Sequence, residues 1–133
     1  MKPLAGFWMA LAVLGAAAGC SSGTTGTVEG TVIVDGKPLG GFEVMFTSQT
    51  DGTTSLGYAK ADGRYQLFRA RGNRNITVGE HKVSVKPTEV VDNVPKPNVR
   101  FPATYTDPFK TELIKSVEPG ENVIDFELDS VKK

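Results

Sequence analysis

Cysteine is nearly missing from this chain of 133 residues, with Cys20 the only one. No intramolecular disulfide can form, and a thiolate-rich zinc site is excluded. Histidine is as scarce: His81 stands alone, so the histidine clusters of zinc sites are absent too. Neither sign of charge is in excess, with 15 Lys plus Arg against 15 Asp plus Glu. That balance disfavours a nucleic-acid partner, whose binding domains are usually strongly basic. No apolar run reaches the ~20 residues of a confident membrane-spanning helix.

What is plentiful is Gly (15), Pro (8) and β-branched side chains, a mixture that suits short strands joined by tight turns. The length favours one domain.

The chain opens with Met1-Lys2, then an apolar stretch from Leu4 to Ala18, then Gly19-Cys20. A short positive start, an apolar core and small residues before a cleavage point are the signature of an export leader. Ala17-Ala18-Gly19-Cys20 resembles a bacterial lipobox, departing from it at Ala17, where Leu is usual. The resemblance implies a leader over residues 1–19 and a diacylated Cys20 as the mature N-terminus, palmitate being one of the fatty acids expected. Each buried CH₂ contributes about 0.8 kcal/mol, so one acyl chain holds weakly and two or more hold stably. Residues 21–27 are small and polar and read as a tether. Ser21 after the cysteine, by resemblance to outer-membrane sorting, points to the outer membrane or its periplasmic face.

Alternation of period two marks the rest. Val28, Gly30, Val32 and Val34 share one face of a first strand, and Phe42, Val44 and Phe46 one face of a second. Asp35-Gly36 between them is a two-residue turn signal. Leu56 and Tyr58 share a face of a third strand, Tyr65 and Leu67 of a fourth, and the turn at Asp62-Gly63 makes these two a hairpin. A fifth strand carries His81, Val83 and Val85, a sixth covers residues 111–117, and Pro119-Gly120-Glu121-Asn122 turns the chain into a seventh with Ile124, Phe126 and Leu128. Residues 87–108 form a long loop with five prolines. It is too apolar for a linker, which suggests that it drapes over an edge or open end of the fold. The expectation is an all-β, seven-stranded antiparallel Greek-key sandwich over residues 28–129, with a charged tail at 130–133.

Residues 28–46 (VEGTVIVDGKPLGGFEVMF) resemble the opening of carboxypeptidase-regulatory-like, or transthyretin-like, domains, and residues 61–67 (ADGRYQL) resemble their hairpin. Residues 101–105 (FPATY) and 117–126 (VEPGENVIDF) resemble the end of small lipoproteins built on that domain. The resemblance implies a prealbumin-like fold used as an accessory, adhesive or scaffold module. It also touches the 5-hydroxyisourate hydrolases, whose site uses several histidines, an Arg and a Tyr-Arg-Gly-Ser C-terminus. This chain has one histidine and ends Asp-Ser-Val-Lys-Lys.

The candidates for chemistry are few. His81 reads as a partly buried structural imidazole, since a catalytic role needs a partner. Asp51 and Asp62 lie in Asp-Gly turns without the ligand spacing of a calcium loop. Asn122 is a conceivable isopeptide acceptor, but no Lys of the first strand faces inward. Arg64, Arg69, Arg71 and Arg74 fall within eleven residues and form a candidate anionic-ligand patch for lipid head groups, wall polymer or acidic glycan, because Arg binds phosphate and carboxylate bidentately. No cofactor or metal is implied. The partners implied are a membrane, through lipid on Cys20, and an envelope polymer or protein. A non-enzymatic binding or scaffolding lipoprotein fits these features best. A carrier of a small molecule or carbohydrate at the open end of the sandwich is the alternative, and a hydrolase comes last. Cys20→Ser is expected to move the protein from the membrane to the soluble fraction while residues 27–129 stay folded, as followed by fractionation and circular dichroism.

Overall fold

The computed structural model describes residues 24–131. The expected leader, the lipid site at Cys20 and residues 21–23 of the expected tether lie outside the described residues; the rest of that tether is not a free linker, because Thr25, Gly26 and Thr27 are strand residues paired with Ile76–Thr77 and Gly120–Glu121.

β1 (Thr25–Val34) is the axis of the first sheet. Its even-numbered residues are buried and its odd-numbered ones half-exposed, so the alternation of Val28, Val32 and Val34 with polar residues turns one face inward along its whole length. The chain continues through β2 (Lys37–Pro38), β3 (Phe42–Ser48), β4 (Thr54–Tyr58), β5 (Arg64–Gln66), β6 (Ile76–Thr77), β7 (Gly79–Pro87), a one-turn helix α1 (Ala103–Thr106), β8 (Leu113–Val117), β9 (Gly120–Val123) and β10 (Phe126–Leu128). On one side β1 pairs antiparallel with β6, β5 and β2 in turn. On the other it pairs parallel with β9 and then β10. The second sheet has the order β4-β3-β7-β8 and is antiparallel throughout.

The two sheets close on a core in which Val28, Val32, Tyr65, Leu67, Ile76 and Phe126 meet Phe42, Val44, Phe46, Val83, Val85 and Val117. Phe126 packs edge-on against Phe46 at 6.1 Å and lies 6.0 Å from Tyr65. Full burial of one such side chain stabilises by about 1.5–3 kcal/mol.

The all-β sandwich expected from the alternation is the fold observed. Its details differ in four respects. The strands number ten among the described residues rather than seven, and the last two run parallel to β1 instead of antiparallel. The stretch expected as a turn at residues 119–122 is largely β9, an exposed strand held by backbone pairing rather than by an apolar face. In β4 the buried positions are Ser55 and Gly57, followed by the buried Ala59 just beyond the strand, which leaves Leu56 half-buried and Tyr58 facing outward.

Close approach of β9 and β10 explains two glycines of β1. A Cβ on Gly30 would lie 1.8 Å from the Ile124 carbonyl oxygen, and one on Gly26 would lie 2.2 Å from that of Glu118. Between β9 and β10 the ladder is interrupted. There the Asp125 carboxylate accepts the Thr31 N–H at 2.9 Å, and Ile124 N–H donates to Glu29 O at 2.8 Å. The buried Tyr65 hydroxyl donates to Ile124 O at 2.6 Å. Burial, then the nearby Asp125 charge, pushes this phenol well above its ordinary range.

Asp35 and Gly36 both have positive φ and make the tight β1–β2 turn. The Asp35 carboxylate also binds Ser130 through its N–H and hydroxyl, tying down the tail. The long loop packs on the core: Phe101 stacks on Phe42 at 5.5 Å, Tyr105 meets Phe101 edge-on at 5.4 Å, and Pro95 and Pro97 crowd Gly41. Asn122 donates to Thr27 O and Glu118 O and accepts from Glu118 N–H, so its amide is committed to the β8–β9 turn.

The β3–β4 turn is organised by Asp51, whose carboxylate accepts from Thr53 N–H, Thr53 Oγ1 and Thr77 Oγ1. These bonds, the Thr53 N–H first, hold its pKa well below the usual carboxylate range. A depressed folded-state pKa means that the stabilisation is present above the unfolded value of about 4 and fades as pH falls through the folded one. Asp51→Asn is therefore expected to lower Tm at pH 7, with the gap to wild type closing below about pH 4. Gly30→Ala is expected to destabilise by at least the ~1–3 kcal/mol of an overpacked site, seen as a lower urea midpoint at unchanged m-value.

Candidate functional site

β4 and β5 follow one another, yet they belong to different sheets. They touch at the Leu56–Phe68 bridge and at the turn, where Lys60 N–H donates to Arg64 O and Gly63 N–H to Lys60 O. Gly63 takes φ +84°, and the Asp62 carboxylate accepts Arg64 N–H at 3.0 Å. Both features are turn chemistry. β4 pairs with β3, and β5 pairs with β1. The hairpin is thus the corner of the sandwich, and its outward residues face a concavity.

Alternation decides which residues these are. With Tyr65 and Leu67 in the core, Arg64, Gln66 and Phe68 point out, and with Ala59 buried, Tyr58 and Lys60 point out. Glu29 of β1 stands opposite Gln66 in register. Together they border a cleft of about 370 Å³, with Asp62 at its turn end. Tyr58 and Phe68 each keep 38% of their surface exposed, so two aromatic rings stand half-clear of the protein.

The cleft's charges are unequally committed. The Arg74 guanidinium lies 3.9 Å from Glu29 and 5.9 Å above the Phe68 ring. The Tyr58 hydroxyl approaches Glu43 at 3.5 Å; burial, then that carboxylate, raises its pKa, so it remains a neutral donor. The side chains of Lys60, Arg64 and Gln66 have no partner among the described residues. Beyond Tyr58 and Lys60, Val90, Val91 and Val94 of the long loop border a second hollow of about 790 Å³. Tyr58 and Lys60 line both, so the hollows meet at these side chains. Both volumes lie in the range of small-ligand sites.

The four arginines expected as one patch are distributed differently. Arg64 lines the first cleft. Arg74 borders a separate hollow with Asn75 and Asn122 and is paired with Glu29. Arg69 donates from its guanidinium to Asn75 O, within its own loop. Arg71 is exposed on the 3₁₀ turn Ala70–Gly72, at φ +65°. Sequence reasoning passed over Tyr58, Lys60 and Gln66. The usable signal was alternation within a hairpin whose small residues, Ser55, Gly57 and Ala59, take the inner face of β4.

His81 is completely buried, rather than partly so, between Phe46 and the Thr77 carbonyl, which its Nε2 meets at 2.8 Å. Thr77 O can only accept, so Nε2 carries the hydrogen; Nδ1 has no partner among the described residues. Among the described residues, no group of three or more His, Cys, Asp or Glu is placed to hold a metal ion, and no helix is long and apolar enough to cross a membrane.

No family model matches the chain, and no curated protein does. One similar solved structure is the dioxygenase domain of a dioxygenase–carbohydrate-binding protein fusion from the cellulolytic bacterium Streptomyces sp. SirexAA-E. It is 22% identical, with 84% of each chain covered and a TM-score of 0.30. The superposition is too loose for that protein's chemistry to bear on this chain.

Proposed function

We propose that this chain is a non-enzymatic binding module of the bacterial cell envelope, held on a membrane by lipid on Cys20, with the β4–β5 corner as its binding surface. The observation that carries the proposal is the pairing of two half-exposed rings, Tyr58 and Phe68, with three uncommitted polar side chains, Lys60, Arg64 and Gln66, in one concave place. An outward ring costs burial that an inward one would gain, about 25 cal/mol per Å² of apolar surface. Such a surface is common at sites that bury it against a ligand. His81 supports binding over hydrolysis, because its ring lies inside the core with a backbone carbonyl as its hydrogen-bond partner. The anchor rests on the resemblance of Ala17-Ala18-Gly19-Cys20 to a lipobox, and the transthyretin-like assignment on residues 28–46 and 61–67.

A carrier of a small molecule or carbohydrate is a second reading, favoured by the ring-lined concavity. The hollow lies on the flank at the β4–β5 corner, while Phe101, Pro95 and Pro97 pack over the neighbourhood of Phe42 and Gly41.

Crosslinking capture from intact envelopes tests the binding surface. Wild type is expected to recover a specific envelope component. Tyr58→Ala and Arg64→Ala should each lose it, and the combined Arg69→Ala, Arg71→Ala and Arg74→Ala variant should retain more. Equal recovery by all variants would place binding elsewhere.

A further inference from the structure

We propose that β8 is a guarded sheet edge, at which the inward-facing Lys115 keeps out the β8 strand of a second copy of this chain. The proposal stands apart from the β4–β5 corner and from the anchor.

A sheet edge is a template for another strand, so a stable fold covers, shortens or charges it. The second sheet ends in β4 on one side and β8 on the other. β4 is covered: Leu56 N–H donates to Phe68 O, Phe68 N–H to Leu56 O, and Lys60 N–H to Arg64 O. The strands flanking β1 in the first sheet are short, none exceeding four residues. β8 is neither covered nor so short. It runs unbroken over Leu113–Val117 and pairs with β7, with no strand on its other side among the described residues. Its outward Ile114 keeps 45% of its surface exposed, which adds apolar area for a neighbour to bury.

The charge is on the inner face. Leu113, Lys115 and Val117 point inward, so an ammonium stands at the middle of the strand on the core side. Lys115 is in register with the fully buried His81 of β7. Its Nζ lies 5.4 Å above the ring of Phe126, which belongs to the opposite sheet and is 1% exposed. The side chain therefore reaches from one sheet to the other. Its methylenes cover the flank of the core, and its ammonium keeps its water. A strand added to β8 would extend the second sheet past this opening and desolvate that charge.

Symmetry sharpens the effect. A second β8 would pair antiparallel about a two-fold axis, and a one-residue slip would turn inner faces outward. The register that joins all five residues sets Leu113 against Val117, Ile114 against Ser116, and Lys115 against Lys115. Like charges directly opposite one another are destabilising. Glu112 and Glu118 would also meet across this register, but on the solvated face, where salt screens them. Lys115 is the charge that pairing would bury. A strand with a carboxylate at the matching position would be attracted instead, so one residue decides which strands the edge accepts.

Sedimentation equilibrium of the full chain in density-matched detergent tests the proposal. Wild type and Lys115→Arg are expected to stay monomeric. Lys115→Leu is expected to self-associate about tenfold or more tightly than wild type, approaching twice the monomer mass, in about 1 M salt, where a screening length of ~3 Å removes the glutamate repulsion. Wild type mixed with Lys115→Glu should form a mixed dimer that neither forms alone. Amide hydrogen exchange should slow in β8 of the associated species and stay unchanged in β4. The proposal is overturned by a wild type or Lys115→Arg that dimerises, by a Lys115→Leu that is folded by circular dichroism yet monomeric, or by protection of β4 in place of β8. Absence of the mixed dimer overturns it too, and this arm decides the matter if Lys115→Leu does not fold.

Discussion

Hydrogen bonding to β1 holds the whole first sheet together. β2, β5 and β6 meet one edge of it, and β9 and β10 meet the other. None of these five strands exceeds four residues, and strands so short gain little from packing alone. They persist because each lies against a ten-residue strand already committed to the core by Val28, Val32 and Val34. That arrangement forces β1 to admit neighbours on both edges, and hence Gly26 and Gly30 at the points where Glu118 and Ile124 come nearest. The Tyr65 hydroxyl and the Asp125 carboxylate then supply the donor and acceptor that the interrupted ladder lacks.

The candidate site is a by-product of the same geometry. β5 must serve β1, and β4 must serve β3, yet only a tight turn separates them. The hairpin therefore spans the two sheets, and its outer residues face each other across a corner instead of lying on a flat surface. Tyr58 and Phe68 are half-exposed for this reason, and among the described residues the side chains of Lys60, Arg64 and Gln66 find no partner. The long loop deepens the corner, because Phe101 and Tyr105 hold it against Phe42 and so place Val90, Val91 and Val94 along the second hollow.

Much of the fold was legible in the sequence where one face is apolar. The alternations through Val28 to Val34, Phe42 to Phe46 and His81 to Val85 all correspond to buried faces, and Asp35-Gly36 makes the turn it signals. Period two says which face is buried but nothing of a strand's direction, so the parallel pairing of β10 was invisible. β9 has no apolar face and is defined by backbone bonds to β1, so its residues read as a turn. Ser55, Gly57 and Ala59 are too small to outweigh Leu56 and Tyr58 in an alternation, which hid the inward face of β4. For the site, clustering in sequence singled out four arginines. The fold instead groups Arg64 with Tyr58, Lys60 and Gln66, a set drawn from two strands and a turn, while Arg69 and Arg74 find partners of their own.

The parallel edge of β1 also sets an order of events. Val32 pairs with Phe126, and Gly26 with Gly120, so the first strand made must wait for the last before its sheet is complete. Contacts this distant in sequence are slow to form and make folding late. The second sheet can assemble once β8 has emerged, but β1 keeps an open backbone edge until the chain's end is released. A chain organised in this way keeps one sheet unfinished for as long as it is still being made.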